Sequence, residues 1–190
     1  MKDLYLISND CWSTGVYKKY KSNYNSPFVN VLIHLPCYIK LLKRFDYYIS
    51  CGLNFISFKD SQYNSNNQRY IIGKLDDIEI HFTHEPSINE LKMDNIKKTW
   101  NRRKNRLSTD YNNLIFKFSD VYHYKPHFYD KDFEQYLELF YNLPYKNKIS
   151  FTNKLYNYPN NFILKPNHVN DALKLGVSVD NYLNLRSLNE

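Results

Sequence analysis

Residues 4–20 read LYLISNDCWSTGVYKKY. The apolar run Leu4–Ile7 stops at a polar block, and a basic stretch of helical spacing follows at once. A strand that passes directly into a helix cannot pair back through a tight hairpin. This junction therefore predicts a βα unit, with residues 8–12 at the carboxyl end of the strand. In open α/β sheets that edge is where ligands and catalytic groups collect.

The rest of the chain repeats the alternation. Leu4–Ser8 reads as strand and Thr14–Tyr20 as helix. Phe28–Ile33, FVNVLI, is a β-rich run. Pro36 fits the first turn of a helix over 36–50, PCYIKLLKRFDYYIS. Asn54–Phe58 is β-like, and 61–67 is a polar loop with the composition of a disordered segment. Tyr70–Ile72 and Ile78–Phe82 read as strands joined by GKLDD. The longest helix is expected over Ser87–Arg106, with Ser87 and Glu90 as a capping box. Leu114–Phe118, Ile149–Thr152 and Phe162–Leu164 are further short strands. Asp130 caps a helix, KDFEQYLELFYNL, that Pro144 ends, and HVNDALKLG ends on Gly176 as a helical C-cap. No repeat or linker divides the 190 residues. The pattern predicts one domain over 1–190, α/β in class: a three-layer α/β/α sandwich with a mostly parallel sheet and an antiparallel hairpin near 70–82.

Hydrophobic residues make up 43% of the chain, enough for a sizeable core. The formal net charge of +7 makes anionic partners plausible: phosphates, nucleotides, acidic glycans, nucleic acid or a membrane face. A generic lysine-rich surface accounts for the same number. Three widely spaced cysteines, Cys11, Cys37 and Cys51, form no CxxC and no zinc spacing. They suit a reducing, cytoplasmic compartment. Met1-Lys2-Asp3 runs straight into the first strand, so no signal peptide is expected. No run of about 20 apolar residues would span a membrane. Work on a lipid-linked substrate would take place at the membrane surface.

Four groups could carry chemistry. In the opening turn, Ser8, Asn9 and free backbone N–H groups at the helix start would suit an anion. Cys11 in that field would have a lowered pKa and act as nucleophile. A buried cysteine beside a packed Trp12 is the structural alternative. In DDIEIHFTHE (76–85), period two puts Glu79, His81 and Thr83 on one strand face and Ile78, Ile80, Phe82 and His84 on the other. His84, at the end of the strand, fits a general base, while His81 fits a hydrogen-bonded core residue. The spacing of His81, His84 and Glu85 matches no standard metal site, and no metal is expected. In WNRRKNR (100–106), Trp100, Arg103 and Arg106 recur at three on a helix, an aromatic surface followed by two guanidiniums for phosphate. A solvated basic face is the alternative there. Asp10 and Asp120 each follow a strand, where they could share acid–base work or serve as turn residues.

Several segments taken together resemble one bacterial family: ISNDCW (7–12), NSPFVNVLI (25–33), YIKLL (38–42), GKLDDIEIHFTH (73–84), WNRRKNRL (100–107) and LPYKNKISFTN (143–153). It is the domain-of-unknown-function family numbered 1919, described as exopolysaccharide biosynthesis proteins. The resemblance covers about residues 4–155 and rests on the order and spacing of the segments. It implies an α/β domain linked to surface polysaccharide assembly. Ser8, Asn9, Cys11 and Trp12 match the family's N-terminal motif, Ser26-Pro27-Phe28 its second, His81 and His84 its strand motif, and Trp100, Arg103 and Arg106 its helix motif. Ser13-Thr14-Gly15 departs from the small glycines expected after the Cys-Trp pair.

The expectation is a transferase that moves a glycosyl or acyl group on a nucleotide-linked, phosphate-linked or polymer-bound sugar. A nucleotide sugar or acyl-CoA would be the donor, and peripheral membrane contact fits the charge. Asp10, Cys11, His84 and Asp120 are the candidate catalytic residues. Ser8, Asn9, Trp12, Trp100, Arg103 and Arg106 are the candidate ligand-binding residues. The rivals are a non-catalytic glycan- or anion-binding accessory protein and, last, a nucleic-acid-binding protein, for which no RNP, KH or helix-turn-helix signature is present.

Overall fold

The computed structural model describes residues 3–63, 70–85, 89–119, 132–152 and 154–163. Four strands form a parallel sheet in the order β1 (Tyr5–Ser8), β5 (Leu114–Ser119), β6 (Lys148–Thr152) and β7 (Asn161–Ile163). Three more, β2 (Asn54–Ile56), β3 (Ile71–Leu75) and β4 (Ile78–Phe82), form an antiparallel sheet. The helices are α1 (Trp12–Lys19), α2 (Leu35–Lys43), α3 (Phe45–Ser50), α4 (Glu90–Lys104) and α5 (Phe133–Tyr141). The fold class is α/β, as the alternation implied.

Period two in the parallel strands sorts the core. Leu6, Ile115, Ile149 and Phe151 pack with Trp12, Val16 and Tyr17 of α1. Ile7, Leu114, Phe116 and Phe118 share a second, larger cluster with residues of α2, α3 and α5. Helices thus cover both faces of the sheet. Each fully buried Phe or Ile contributes about 1.5–3 kcal/mol of transfer free energy. In β3, Gly73 permits a close approach: a Cβ there would lie 2.6 Å from Leu53 Cδ1 and 2.9 Å from Phe82 Cε2.

Three local expectations change. Phe28–Ile33 is buried but forms no strand. Pro27 lacks an N–H, and Asn30 adopts a left-handed φ of 63°, which interrupts the extended run. The segment instead ties the two sheets together. Ile33 N–H donates to Asn9 C=O (2.8 Å), and Leu32 bridges His81 with two 2.8 Å bonds. The single helix expected over 36–50 breaks at Arg44 (φ −134°, ψ 48°), and Phe45 and Tyr48 beyond the break enter the core. Finally, α4 starts at Glu90, capped by Asn89, whose Oδ1 accepts from Lys92 N–H at 2.8 Å. Ser87, Asp130, residues 64–67 of the polar loop and the HVNDALKLG helix lie outside the described residues. Among the described residues, no helix is long and apolar enough to cross a membrane.

Candidate functional site

The turn after β1 is built around a buried ion pair. Lys117 occupies the α1 side of β5, in the interior of the apolar run LIFKF, and is fully buried. Its ammonium nitrogen lies 5.6 Å from the Trp12 ring centre and 5.8 Å from that of Phe151. Its ammonium is bonded to Asp10 Oδ2. The other carboxylate oxygen of Asp10 accepts from Ser8 Oγ (3.1 Å) and from the Trp12 N–H (3.0 Å). Asp10 therefore already occupies an N–H at the start of α1 that the sequence reading left free for an anion. Asn9 Nδ2 donates to Ser119 C=O at 3.0 Å. Ser8, Asn9, Asp10 and Trp12 are all at most 4% exposed, so they form a wall behind the surface.

Cys11 is the residue of this turn that reaches outward. Its Sγ lies 3.2 Å from His84 Nε2 and 3.7 Å from both Thr83 Oγ1 and Val31 C=O. The expected low-pKa thiolate is not what this environment makes. Burial first, then the Asp10 carboxylate, push the thiol up to about 11. Asp10 neutralises the nearby cation of Lys117, so little remains to favour a thiolate. A protonated thiol can donate its S–H to a ring nitrogen that carries no proton, and Nε2 is within reach.

His84 sits in the turn just after β4, at the end of its strand in the antiparallel sheet. It reaches Cys11 because the Leu32–His81 bridge and the Asn9–Ile33 bond hold the end of β4 beside the end of β1. His84 also lines a cavity of about 270 Å³. Pro27, Val29 and Asn30 form one side of it, and Phe82 and Glu85 lie near His84. The facing wall is a single stripe of α4: Lys92, Asn95, Ile96, Thr99, Trp100 and Arg103. Spacings of three and four put these residues on one helical face.

Arg103 is half-buried. One terminal nitrogen donates to Val29 C=O (3.3 Å), and the guanidinium lies 4.9 Å from the Tyr24 ring centre. Burial pulls its pKa below the ordinary arginine value. Among the described residues it has no carboxylate partner, and its buried Nε is unpaired. Trp100 is 2% exposed, edge-on to Phe28 (5.4 Å) and Phe82 (6.4 Å). It floors the cavity and has no face open for stacking. Arg106 lies beyond the end of α4, exposed and outside the lining. Asp120 falls outside the described residues.

His81 does not join His84. It is fully buried, 3.2 Å from Glu79 Oε2 and 3.2 Å from the Tyr70 hydroxyl. Burial alone would raise the Glu79 carboxyl. Hydrogen bonds from His81, Ser61 and the Gln62 N–H outweigh it and hold the pKa below the ordinary value. Beside them His34 stacks on Tyr63 at 3.9 Å, and burial drives its pKa down to about 3.

Sequence reasoning missed Lys117, Asn95 and Thr99. A lysine inside the run LIFKF signals a buried cation in need of a partner, and the spacing 92, 95, 96, 99, 100, 103 was there to be read as a stripe.

Two comparisons bear on identity. The profile of a family described as a domain of unknown function (DUF1919) matches residues 1–184. An uncharacterized protein of Haemophilus influenzae is 31% identical over 151 residues, covering 80% of this chain. The match spans 62% of the length of that relative.

Proposed function

The chain belongs to the DUF1919 family, whose function is unknown, and from the cavity between β4 and α4 we propose that it is a transferase. It acts in surface polysaccharide biosynthesis on a nucleotide-linked, phosphate-linked or polymer-bound sugar and moves a glycosyl or acyl group. The observation that carries this reading is a half-buried guanidinium without a carboxylate partner among the described residues, in the same cavity as an imidazole. A partly desolvated cation gains most from an anionic ligand with several acceptors, and phosphate matches the planar fork of arginine. A cavity of about 270 Å³ is near the lower end for ligand sites, so it suits a phosphate and one sugar ring better than a whole nucleotide sugar. The rest of a donor such as a nucleotide sugar or acyl-CoA would lie along the rim.

In this reading Arg103 holds phosphate, and Asn95 and Thr99 supply polar contacts. His84 takes the proton from the attacking group. Cys11 orients the ring by donating to Nε2, or, once His84 has removed its proton, attacks the acyl or anomeric carbon as the bond to the donor's CoA sulfur or phosphate oxygen breaks and that group departs, taking the proton from His84. The compartment is the cytoplasm, at or near the membrane surface. The raised pKa of Cys11 favours the rival reading, a non-catalytic anion-binding accessory protein.

Thermal-shift titration with inorganic phosphate, nucleotide sugars, acyl-CoA and oligosaccharides tests the proposal, because a ligand that prefers the native state raises its stability. A phosphate-bearing ligand is expected to stabilise the protein. Arg103→Ala should weaken it by about 1.5–3 kcal/mol, Arg103→Lys should recover part, and Lys104→Ala should change little. His84→Ala should keep binding and lose turnover. Binding without turnover by the native protein would establish the accessory reading. Equal losses for all three α4 variants that vanish at high salt would refute a specific site.

A further inference from the structure

The motif WNRRKNR is only partly used by the cavity. Between Asp94 and Asp110 the chain carries Lys97, Lys98, Arg102, Arg103, Lys104 and Arg106 and no acidic residue. Arg103 turns inward. Lys97, Lys98, Arg102 and Arg106 are exposed, and none has a carboxylate partner among the described residues. Leu91, four and seven residues before Asn95 and Lys98, is 72% exposed. On a helix of 3.6 residues per turn, Leu91, Lys98 and Arg102 form one outer stripe. Arg102 also lies two turns above Asn95, so this stripe borders the cavity lining. Asp94 flanks this stripe, and Lys97 lies farther round the helix beside Glu90, so the acids on this side are Asp94 and Glu90.

We infer that the outer face of α4 docks on an anionic lipid bilayer. Unpaired, fully hydrated cations keep their attraction for a surface of negative headgroups, and an exposed leucine among them can enter the interface. Single-stranded nucleic acid needs stacking platforms beside its cations. The outer face offers none, since Trp100 of the same helix is buried. Docking would lay the helix, about 22 Å long at 1.5 Å per residue, along the membrane with the cavity rim near the headgroups. The inference does not require the transferase reading, because a face can dock whatever the cavity binds.

The test is co-sedimentation of the full chain with vesicles of phosphatidylcholine alone, or mixed with phosphatidylglycerol. Binding is expected only to the mixed vesicles, and to fall as salt is raised. Each lysine or arginine near such a surface strengthens binding about fivefold. K97Q/K98Q/R102Q should therefore weaken it about a hundredfold, and K97E/K98E/R102E further. The set K43Q/K59Q/K146Q, equal in charge and exposed elsewhere, should lose far less. Circular dichroism and thermal melting of each variant establish that it is folded, and the glutamine set serves if the glutamate set is not. Equal loss in the two glutamine sets would reduce the effect to net charge and overturn the inference. So would binding to double-stranded DNA with no binding to the mixed vesicles.

Discussion

Truncating Asp10 to alanine leaves the Lys117 ammonium in the core without its partner. The two side chains are 4% and 1% exposed, so water cannot replace the lost charge. Removing one member of such a pair costs about 3–5 kcal/mol, most of it the stranded charge. The same carboxylate also accepts from Ser8 Oγ and the Trp12 N–H, so the start of α1 loosens as well. Lys117→Met acts differently. The new side chain fills the space between Trp12 and Phe151, and the Asp10 carboxylate keeps two donors. Its cost should be about 1–3 kcal/mol. In Asp10→Ala/Lys117→Met neither charge is stranded, and the double variant should be less destabilised than the sum of its singles by at least about 1 kcal/mol. Urea unfolding followed by tryptophan fluorescence gives all four stabilities, with Trp12 inside the perturbed region. For a chain of 190 residues, about 2–4 °C per kcal/mol puts Asp10→Ala about 6–20 °C below the native midpoint. An Asp10→Ala protein within about 1 kcal/mol of native, or strictly additive singles, would refute the argument.

Two further outcomes follow from the titrating groups. At neutral pH, iodoacetamide should modify the partly exposed Cys51 before Cys11, and Cys11 should accelerate as pH rises toward about 11; peptide mass spectrometry reads the order, and a fast Cys11 would refute the raised thiol pKa. Stability should fall as pH drops from about 6.5 toward 3, because the unfolded chain binds a proton at His34 that the native state, with its value near 3, refuses. Glu79 adds to the same loss at lower pH: its native pKa lies below the ordinary 4.5, so its stabilising contribution is present above that value and disappears as the carboxylate is protonated. Melting temperatures against pH should show a flatter upper limb for His34→Phe and a flatter lower limb for Glu79→Gln; unchanged slopes would show that neither group controls acid stability.

Local patterns were enough for the α/β class and for β1, β4, β5 and β6 within a residue or two, because period two and period 3.6 are properties of a few consecutive residues. The same holds for the polar turn after β1 and for His81 as a hydrogen-bonded core residue. Other features needed contacts distant in sequence. The run Phe28–Ile33 has strand composition, but its backbone pairs only with Asn9, in the turn after β1, and His81 of β4, and a left-handed Asn30 interrupts it. No local signal carries that. The helix expected over 36–50 breaks at Arg44, and the residues beyond the break join a core assembled from the whole fold.

The candidate site divides in the same way. Residue types and spacing singled out Cys11, His84 and Arg103. Only the tertiary structure put Cys11 and His84 3.2 Å apart across 73 positions of chain, and it turned Arg103 inward while Arg106 stayed in water. It also set the protonation of Cys11. A pKa is fixed by burial and by the charges that surround a group, and here burial and Asp10 outweigh the helix start that the sequence had suggested would lower it.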